Sequence, residues 1–433
     1  MNVVNVGLIG AGTVGCGVIK VLSQNRDIIE KRTGIRLNLK KIADINPDRE
    51  RPVRLPKGKL TKNAHELIED DSIHIIIELI GGTGIAKDLV LGAIRNGKHV
   101  VTANKALLAH YGREIFGEAV EKGVDVGFEA SVGGGIPVIK ATQESFAANN
   151  ILSIHGIING TSNYILTKMT EEGSEFEEVL KEAQDEGYAE ADPSFDVDGI
   201  DAAHKLSILI MLSFGIFIDF GKIYVEGIRG ITTLDIAYAN ELGYRIKLLA
   251  IAKSRKHGLE AGVYPTLVKK ETQLADVSGA FNAIYIVGDA VGPTMLYGMG
   301  AGMMPTASAV VSDVLQIAKD LSLGNVHSSP PRFYGDKKSL PLIIMRDTTN
   351  KYYLRFQAED RPGVLGKITG SLGKHGISIE SVIQKGRHLG GGDVPVVIMT
   401  HDARERNIIS ALKEIDRFST IKPKTTFIRI EDL

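Results

Sequence analysis

The opening fifteen residues constrain this chain more than any other stretch. Residues 3 to 9 alternate in β-branched character and run into Gly7-Leu-Ile-Gly10-Ala11-Gly12-Thr13-Val14-Gly15, after which Val14 to Leu22 has helical spacing. A GxGxxG run set between a strand and a helix has a physical use. Its first glycine permits a tight turn, its second lets a pyrophosphate approach the backbone, and its third lets helix and strand pack closely, while the helix N-terminus offers N–H groups and partial positive charge. Gly10, Ala11, Gly12, Thr13, Val14 and Gly15 are therefore the candidate cofactor loop.

A second strand fits Leu37–Ala43, and further apolar runs at Ile73–Ile80 and His99–Thr102 flank the helical stretch Ala86–Asn96. This βαβ alternation predicts an α/β fold with a parallel, doubly wound Rossmann sheet over residues 1–130. Asp44, at the end of the second strand, either accepts a ribose hydroxyl, which favours NAD, or caps a loop. An inserted turn from Arg26 to Gly34 explains its distance from the glycine loop. Lys57, Lys59 and Lys62 follow shortly after and suit a 2′-phosphate, so NADP stays open.

From Ser131 the texture changes to a glycine-rich loop, a helix, a strand at Ile151–Ile158 and two helices around the acidic stretch 171–205, which predicts an α+β domain over 131–302. The helical pattern Thr306–Leu321 is expected to pack back and complete the first domain at about 303–325. Residues 326–340, with Ser328, Ser329, Pro330 and Pro331, read as a linker, and a separate unit is expected over 341–433. Leu206–Ile218 is shorter than the roughly 18 apolar residues that span a bilayer and reads as a buried helix and strand. The 51 basic and 52 acidic residues nearly cancel, so no bulk field draws the chain to nucleic acid or to an anionic membrane. The single cysteine, Cys16, excludes an intramolecular disulfide framework and fits a reducing, cytoplasmic setting. No histidine pair has HxxxH or HxH spacing, so no zinc site is expected.

A dehydrogenase needs a proton donor near the forming alkoxide and groups that fix the rest of the substrate. The stretch AQDEGYAEADPSFDVDGIDAAHK, from Ala183 to Lys205, concentrates suitable groups. Asp201 and Lys205 stand at i and i+4 on one helix face. Such a pair is either a solvated surface bridge or, because the helix continues into LSILIML, a buried pair in which lysine needs a partner or a task. His204 reads as a packing residue.

The pattern A-x3-G-Y-A-x2-D-P-x2-D-V-x-G-x-D-x3-K over Ala183–Lys205 resembles the signature of homoserine dehydrogenases. Glu78-Leu-Ile-Gly-Gly82, Val101-Thr-Ala-Asn-Lys105-Ala, Glu129-Ala-Ser-Val-Gly-Gly-Gly-Ile-Pro137 and Gly160-Thr-Ser-Asn163 are similar to the same family, over roughly residues 3 to 325. The resemblance implies interconversion of L-homoserine and L-aspartate 4-semialdehyde with NADP or NAD. It implies that Lys205 is the proton donor, that Lys105 lies near the nicotinamide with a part in catalysis, and that Glu190 and Asp201 bind substrate in a pocket lined by Asp196, Tyr188, Gly160 and Thr161. Thr83 and Gly302 join the cofactor contacts. Glu129 with the carbonyls of Val132, Gly134 and Ile136 resembles the family's sodium site, although a glutamate capping a turn reads equally well.

After residue 340 the chain reads as strand Tyr352–Ala358, helix Gly363–His375, strands Ile377–Lys385 and Val394–Thr400, helix Glu405–Ile415 and strand Thr425–Ile430. That βαββαβ order is ferredoxin-like. Asp360-Arg-Pro-Gly-Val-Leu365 resembles the first loop of ACT domains, which marks Asp360, Gly363 and Val364 as effector candidates. Family membership implies L-threonine feedback and a homodimer or homotetramer; a module used only for dimerisation is the alternative. The chain opens on the Rossmann strand, which predicts a monofunctional enzyme. An acyl-enzyme dehydrogenase is disfavoured because the one cysteine lies in the phosphate loop, and a non-catalytic nucleotide or amino-acid sensor would not need Glu190, Asp201 and Lys205 together.

Overall fold

The computed structural model describes residues 2–56, 58–324, 340–385 and 392–433. Residues 326–339 of the expected linker, Lys57 and part of the glycine run 390–392 lie outside them.

In chain order the first elements are β1 (Asn2–Ile9), α1 (Thr13–Gln24), α2 (Arg26–Thr33), β2 (Ile35–Ala43), β3 (Leu60–Thr61), α3 (His65–Ile68), β4 (Ile75–Glu78), α4 (Ile85–Arg95), β5 (His99–Thr102), α5 (Lys105–Lys122), β6 (Val126–Gly127) and α6 (Val138–Lys140). Next come β7 (Ile151–Ile157), α7 (Gly160–Glu172), α8 (Phe176–Asp185), α9 (Ser194–Val197), α10 (Ile200–Phe214), β8 (Tyr224–Val225), α11 (Thr233–Glu241), β9 (Tyr244–Arg255), β10 (Gly258–Lys269), β11 (Phe281–Gly288), β12 (Gly292–Met299) and α12 (Met303–Leu323). The last are β13 (Thr349–Glu359), α13 (Val364–Lys374), β14 (Ile379–Gln384), β15 (Asp393–Thr400), β16 (Ala403–Arg404), α14 (Glu405–Ile415) and β17 (Ile421–Glu431).

The chain forms two compact units. One comprises Met1–Leu152, Ala202–Ile223 and Phe281–Ser339; the other comprises Ser153–Asp201, Tyr224–Ala280 and Leu340–Leu433. In the first, a parallel sheet runs in the order β3-β2-β1-β4-β5-β6. This is the doubly wound Rossmann order, and its reversal between β1 and β4 puts the loops after those two strands where such sheets hold ligands. The central strands are buried on both faces: Val6, Leu8, Ile75, Ile77 and Val101 share one core with Val310 and Val314 of α12. Helix α12 packs so closely on α1 that a Cβ on Gly17 would stand 2.5 Å from the Met303 carbonyl.

Two local expectations fail. Residues 26–33 form helix α2 rather than a turn: Arg26 and Glu30 pair at i, i+4, Asp27 sits in its first turn and Lys31 and Arg32 in its last, and left-handed Gly34 stops it. Ile216–Ile218 is not a strand. Gly215 ends α10 at φ +68, and the half-buried residues that follow have no ladder partner among the described residues.

In the second unit one sheet follows the order β7-β9-β10-β17-β13-β15-β14. The long β9/β10 hairpin pairs Tyr244 with Lys269 through to Arg255 with Gly258. The ferredoxin-like βαββαβ of the C-terminal segment supplies β13 to β17, and β17 joins β10 in parallel from Thr266↔Arg429 to Val268↔Glu431. Its own core gathers Leu354, Phe356, Ile368, Ile398 and Ile408 beneath α13 and α14. At the seam Arg429, 1 % exposed, donates to both oxygens of Glu405 and to Glu226, and lies over the rings of Tyr224 and Tyr264. Among the described residues, no helix is long and apolar enough to cross a membrane.

Candidate active site

The glycine loop is shaped by contacts that a side chain would break. Gly10 has φ +97, and a Cβ there would meet the Leu79 carbonyl at 2.7 Å; a Cβ on Gly15 would lie 2.1 Å from the Gly10 carbonyl. At Gly12 a Cβ would meet nothing within 4 Å beyond its chain neighbours, so its backbone faces open space at the N-cap of α1. Asp44 is already engaged. Its carboxylate accepts from the Ala11 N–H at 2.9 Å and the Asn46 N–H at 2.8 Å, and Arg51 lies at 3.2 Å. Burial pushes its carboxyl up, but those two N–H donors and the Arg51 guanidinium outweigh it and leave it below the ordinary value. Of the lysines considered for a 2′-phosphate, Lys59 turns back to the Leu39 carbonyl at 2.6 Å and Lys62 is exposed.

After β4 the chain turns through left-handed Gly81 and Gly82 into half-buried Thr83. Glu78, fully buried, holds this turn: one oxygen accepts from the N–H groups of Ile80 and Gly81, the other from the Thr102 hydroxyl at 2.7 Å. Asn104 donates to the Gly82 carbonyl at 2.7 Å and caps α5 by accepting from the Leu107 N–H. Lys105, half-buried, is the first residue of that helix, so its position is set by Glu78 and Asn104. Gly302, exposed at φ +116, caps α12.

A second cluster forms around Asn159, which is 5 % exposed and caps α7 by accepting from the Ser162 N–H. Its amide nitrogen donates to Asp196 at 2.7 Å and to Asp201 at 2.9 Å, so one side chain holds two carboxylates. The Thr161 hydroxyl donates to the Tyr188 carbonyl at 2.7 Å with Asp196 3.2 Å away, and the Ser162 hydroxyl binds the Asp196 carbonyl. The Tyr188 ring stacks on Tyr164 at 4.6 Å, and Gly160 opens α7. Asp201 sits in the first turn of α10, where a helix favours negative charge, and Lys205 follows one turn later. Both are buried, at 2 % and 9 % exposure, which removes the surface-bridge alternative. His204 packs edge-on against Phe220 at 4.3 Å. Glu190 is not drawn into the cluster. It is exposed, and its carboxylate has no partner among the described residues.

Glu129 is 2 % exposed and accepts from the N–H groups of Ile139 and Lys140, while its own N–H donates to Asp313. Burial pushes its carboxyl up to about 7 against those bonds. The chain then passes Val132 and turns through left-handed Gly133 and Gly134; a Cβ on Gly134 would strike the Gly300 carbonyl at 2.5 Å. The Ile136 carbonyl accepts from Val138. In the C-terminal segment Asp360 follows β13, its N–H bound to the Gly392 carbonyl, and left-handed Gly363 starts α13 with Val364 buried beneath it.

Three family models match the chain. Residues 10–129 match the homoserine dehydrogenase NAD binding domain, residues 137–315 the homoserine dehydrogenase domain and residues 352–417 the ACT domain. A homoserine dehydrogenase of Neisseria gonorrhoeae is 46% identical over 435 residues, with 100% of each chain covered. The chain belongs to the homoserine dehydrogenase family. A relative in Pseudomonas aeruginosa is 45% identical over 440 residues, again with 100% of each covered. The crystal structure of the Thiobacillus denitrificans enzyme superposes with a TM-score of 0.93 at 46% identity, covering 100% of this chain and 99% of that one. A hyperthermophilic archaeal homoserine dehydrogenase in complex with NADPH gives 0.61 at 27% identity, covering 75% and 100%.

As a member of this oxidoreductase family the chain has a Rossmann NAD(P)-binding domain, a catalytic domain with a mixed sheet and a C-terminal ACT domain. Sequence reasoning passed over Asn159, Glu78, Asn104 and Arg51. Three of them lie in or beside motifs that drew notice, but what each binds is set by folding: Asn159 precedes Asp196 by 37 residues.

Proposed function

We propose that the protein interconverts L-homoserine and L-aspartate 4-semialdehyde with NADP or NAD, the step that feeds threonine, methionine and isoleucine synthesis. The observation that carries the site assignment is the Asn159 amide holding Asp196 and Asp201 together, with Lys205 one turn beyond on α10. The dinucleotide, when bound, gives or takes up the hydride. Lys205 donates a proton from Nζ to the forming alkoxide and recovers it in the reverse direction. Asp201 and Asp196 hold the substrate's ammonium group, Thr161, Tyr188 and Gly160 shape that pocket, and Glu190 binds substrate from its exposed position. Lys105, fixed at the start of α5, orients the reacting end. Gly10 to Gly15, Thr83 and Gly302 hold the dinucleotide. Arg51 offsets the charge of Asp44 and so lifts the repulsion that reserves such a loop for NAD, which supports acceptance of either cofactor.

A hard monovalent cation such as sodium would suit Glu129, because a buried carboxylate beside Asp313 gains from added positive charge and the carbonyls of Val132, Gly134 and Ile136 would supply oxygen ligands. L-threonine at the ACT loop of Asp360, Gly363 and Val364 supports feedback inhibition. The working enzyme is a cytoplasmic homodimer or homotetramer.

Absorbance of the reduced nicotinamide, followed with homoserine and each cofactor, tests the activity. Turnover should vanish in Lys205→Ala while cofactor affinity stays within about twofold of wild type, a difference of under 0.5 kcal/mol. A wild-type protein with no homoserine-dependent signal would instead be a non-catalytic sensor. Repeating the assay with threonine, and with sodium replaced by tetramethylammonium, tests the effector and the cation separately.

A further inference from the structure

A cavity of about 110 Å³ opens between the C-terminal half of α7, the start of β9 and the loop after β10. It lies away from the Asn159 cluster: Thr167, the first residue of α7 to line it, is eight residues further along the chain, roughly 12 Å of helix. Arg245 and Lys247 alternate on β9, so both face the cavity from one side of the sheet. Lys247 is 4 % exposed, with Nζ donating to the Val277 carbonyl at 2.5 Å and lying 3.4 Å from Asn163 Oδ1. Arg245 Nε is buried with no hydrogen-bond partner among the described residues, which is costly for a guanidinium unless something else accepts from it.

The loop that carries Ala275, Asp276 and Ser278 is held firmly from behind the lining. Asn163 donates to the carbonyls of Val277 and Gly279, and the Gly279 N–H returns a bond to Thr167. At the mouth stand two exposed acids, Glu171 and Asp276. Positive charge at the base and negative charge at the rim would repel a bare dianion at the entrance, yet they match a molecule that carries a carboxylate at one end and an ammonium at the other. The volume suits a small one.

We propose that this cavity binds a small zwitterionic amino acid, its carboxylate on Arg245 and Lys247 and its ammonium at Glu171 and Asp276. The site is separate from the substrate pocket and from the ACT loop. Glycine is the probe, titrated calorimetrically into the full chain, with acetate and methylammonium as single-charge controls. Glycine should bind at least about tenfold more tightly than either control, since each end gains a charge-assisted partner. Arg245→Gln, at a half-buried position, should weaken glycine at least about tenfold while turnover and thermal stability remain at wild-type levels. Asp201→Asn and Asp360→Ala should leave glycine affinity unchanged. Equal affinity in Arg245→Gln and wild type, loss of glycine in Asp201→Asn or Asp360→Ala, acetate binding as tightly as glycine, or no glycine binding at all would each overturn the assignment. Lys247→Met provides a second variant at the base, expected to weaken glycine in the same direction.

Discussion

Replacing Asn159 tests the substrate cluster most directly. In Asn159→Ala the two hydrogen bonds to Asp196 and Asp201 vanish together with the cap on α7. Hydrogen bonds to charged groups contribute about 1.5–3 kcal/mol each. Water refills part of that space, so a net loss of about 2–3 kcal/mol in transition-state stabilisation is expected, or roughly 30- to 150-fold in kcat/KM. The lost cap costs about 1 kcal/mol of stability on its own. Asn159→Asp separates the two effects. Aspartate caps a helix as well as asparagine does, but it sets a third carboxylate against two at hydrogen-bond distance. Each such pair costs about 4 kcal/mol at 4 Å and an effective dielectric of 20, and the cluster answers by holding a proton.

The two variants should therefore differ in their pH profiles. The deficit of Asn159→Asp should shrink as pH falls toward the carboxylate range, and that of Asn159→Ala should stay nearly flat. Initial rates against homoserine, with cofactor affinity measured separately, should place most of the loss in KM for homoserine and leave cofactor binding intact. Kinetics of Asn159→Ala within threefold of wild type, or a loss that tracks only a lowered melting temperature and weakened cofactor binding, would refute the assigned role.

Other substitutions probe the frame. Gly15→Ala puts a methyl carbon 2.1 Å from the Gly10 carbonyl; because backbone must move, cofactor titration by fluorescence should show affinity at least about tenfold weaker, some 1.4 kcal/mol. Arg429→Met strands the buried Glu405, which should cost about 3–5 kcal/mol in denaturant unfolding, and Glu405→Gln added to it should recover part of the loss. Burial lowers the Lys247 ammonium to about 8, below its unfolded value near 10.4, so between those pH values the unfolded chain holds more protons and stability rises with pH. The stability difference between wild type and Lys247→Met should change by about 3 kcal/mol across pH 8 to 10.4, and a flat difference would exclude that burial.

The Rossmann half was legible because its signals are local. Gly10, Gly12 and Gly15 lie within six residues, and buried parallel strands such as Ile75–Glu78 read as short β-branched runs between helices. The ACT-type order was legible for the same reason. The β9/β10 and β11/β12 hairpins were not. Arg-Ile-Lys-Leu-Leu-Ala-Ile-Ala-Lys is a short apolar run that periodicity cannot divide between a strand and a buried helix; its pairing with Gly258–Lys269 decides. In the site, helical spacing put Asp201 and Lys205 on one face and the family resemblance supplied their roles, but Asp44 was assigned from strand position alone. Whether it faces a ribose or its own loop depends on Arg51 and on the N–H of Ala11, contacts that spacing does not encode.

The C-terminal fold is tied to the catalytic elements by buried charge as well as by a sheet edge. Arg355 and Tyr353 on β13 bond to Asp235, and Asp235 with Thr232 forms the capping box that starts α11. Helix α11 packs against α7 and β9, so groups on the strand that leads into Asp360 set the N-terminus of a helix lying against the one that Asn159 caps. Capping contributes about 1 kcal/mol, but removing Arg355 would also leave Asp235, which is fully buried, without its cation. The ACT segment therefore cannot be a passive appendage to this unit. Its strands supply the counter-charges on which part of the catalytic domain's helical layer is built.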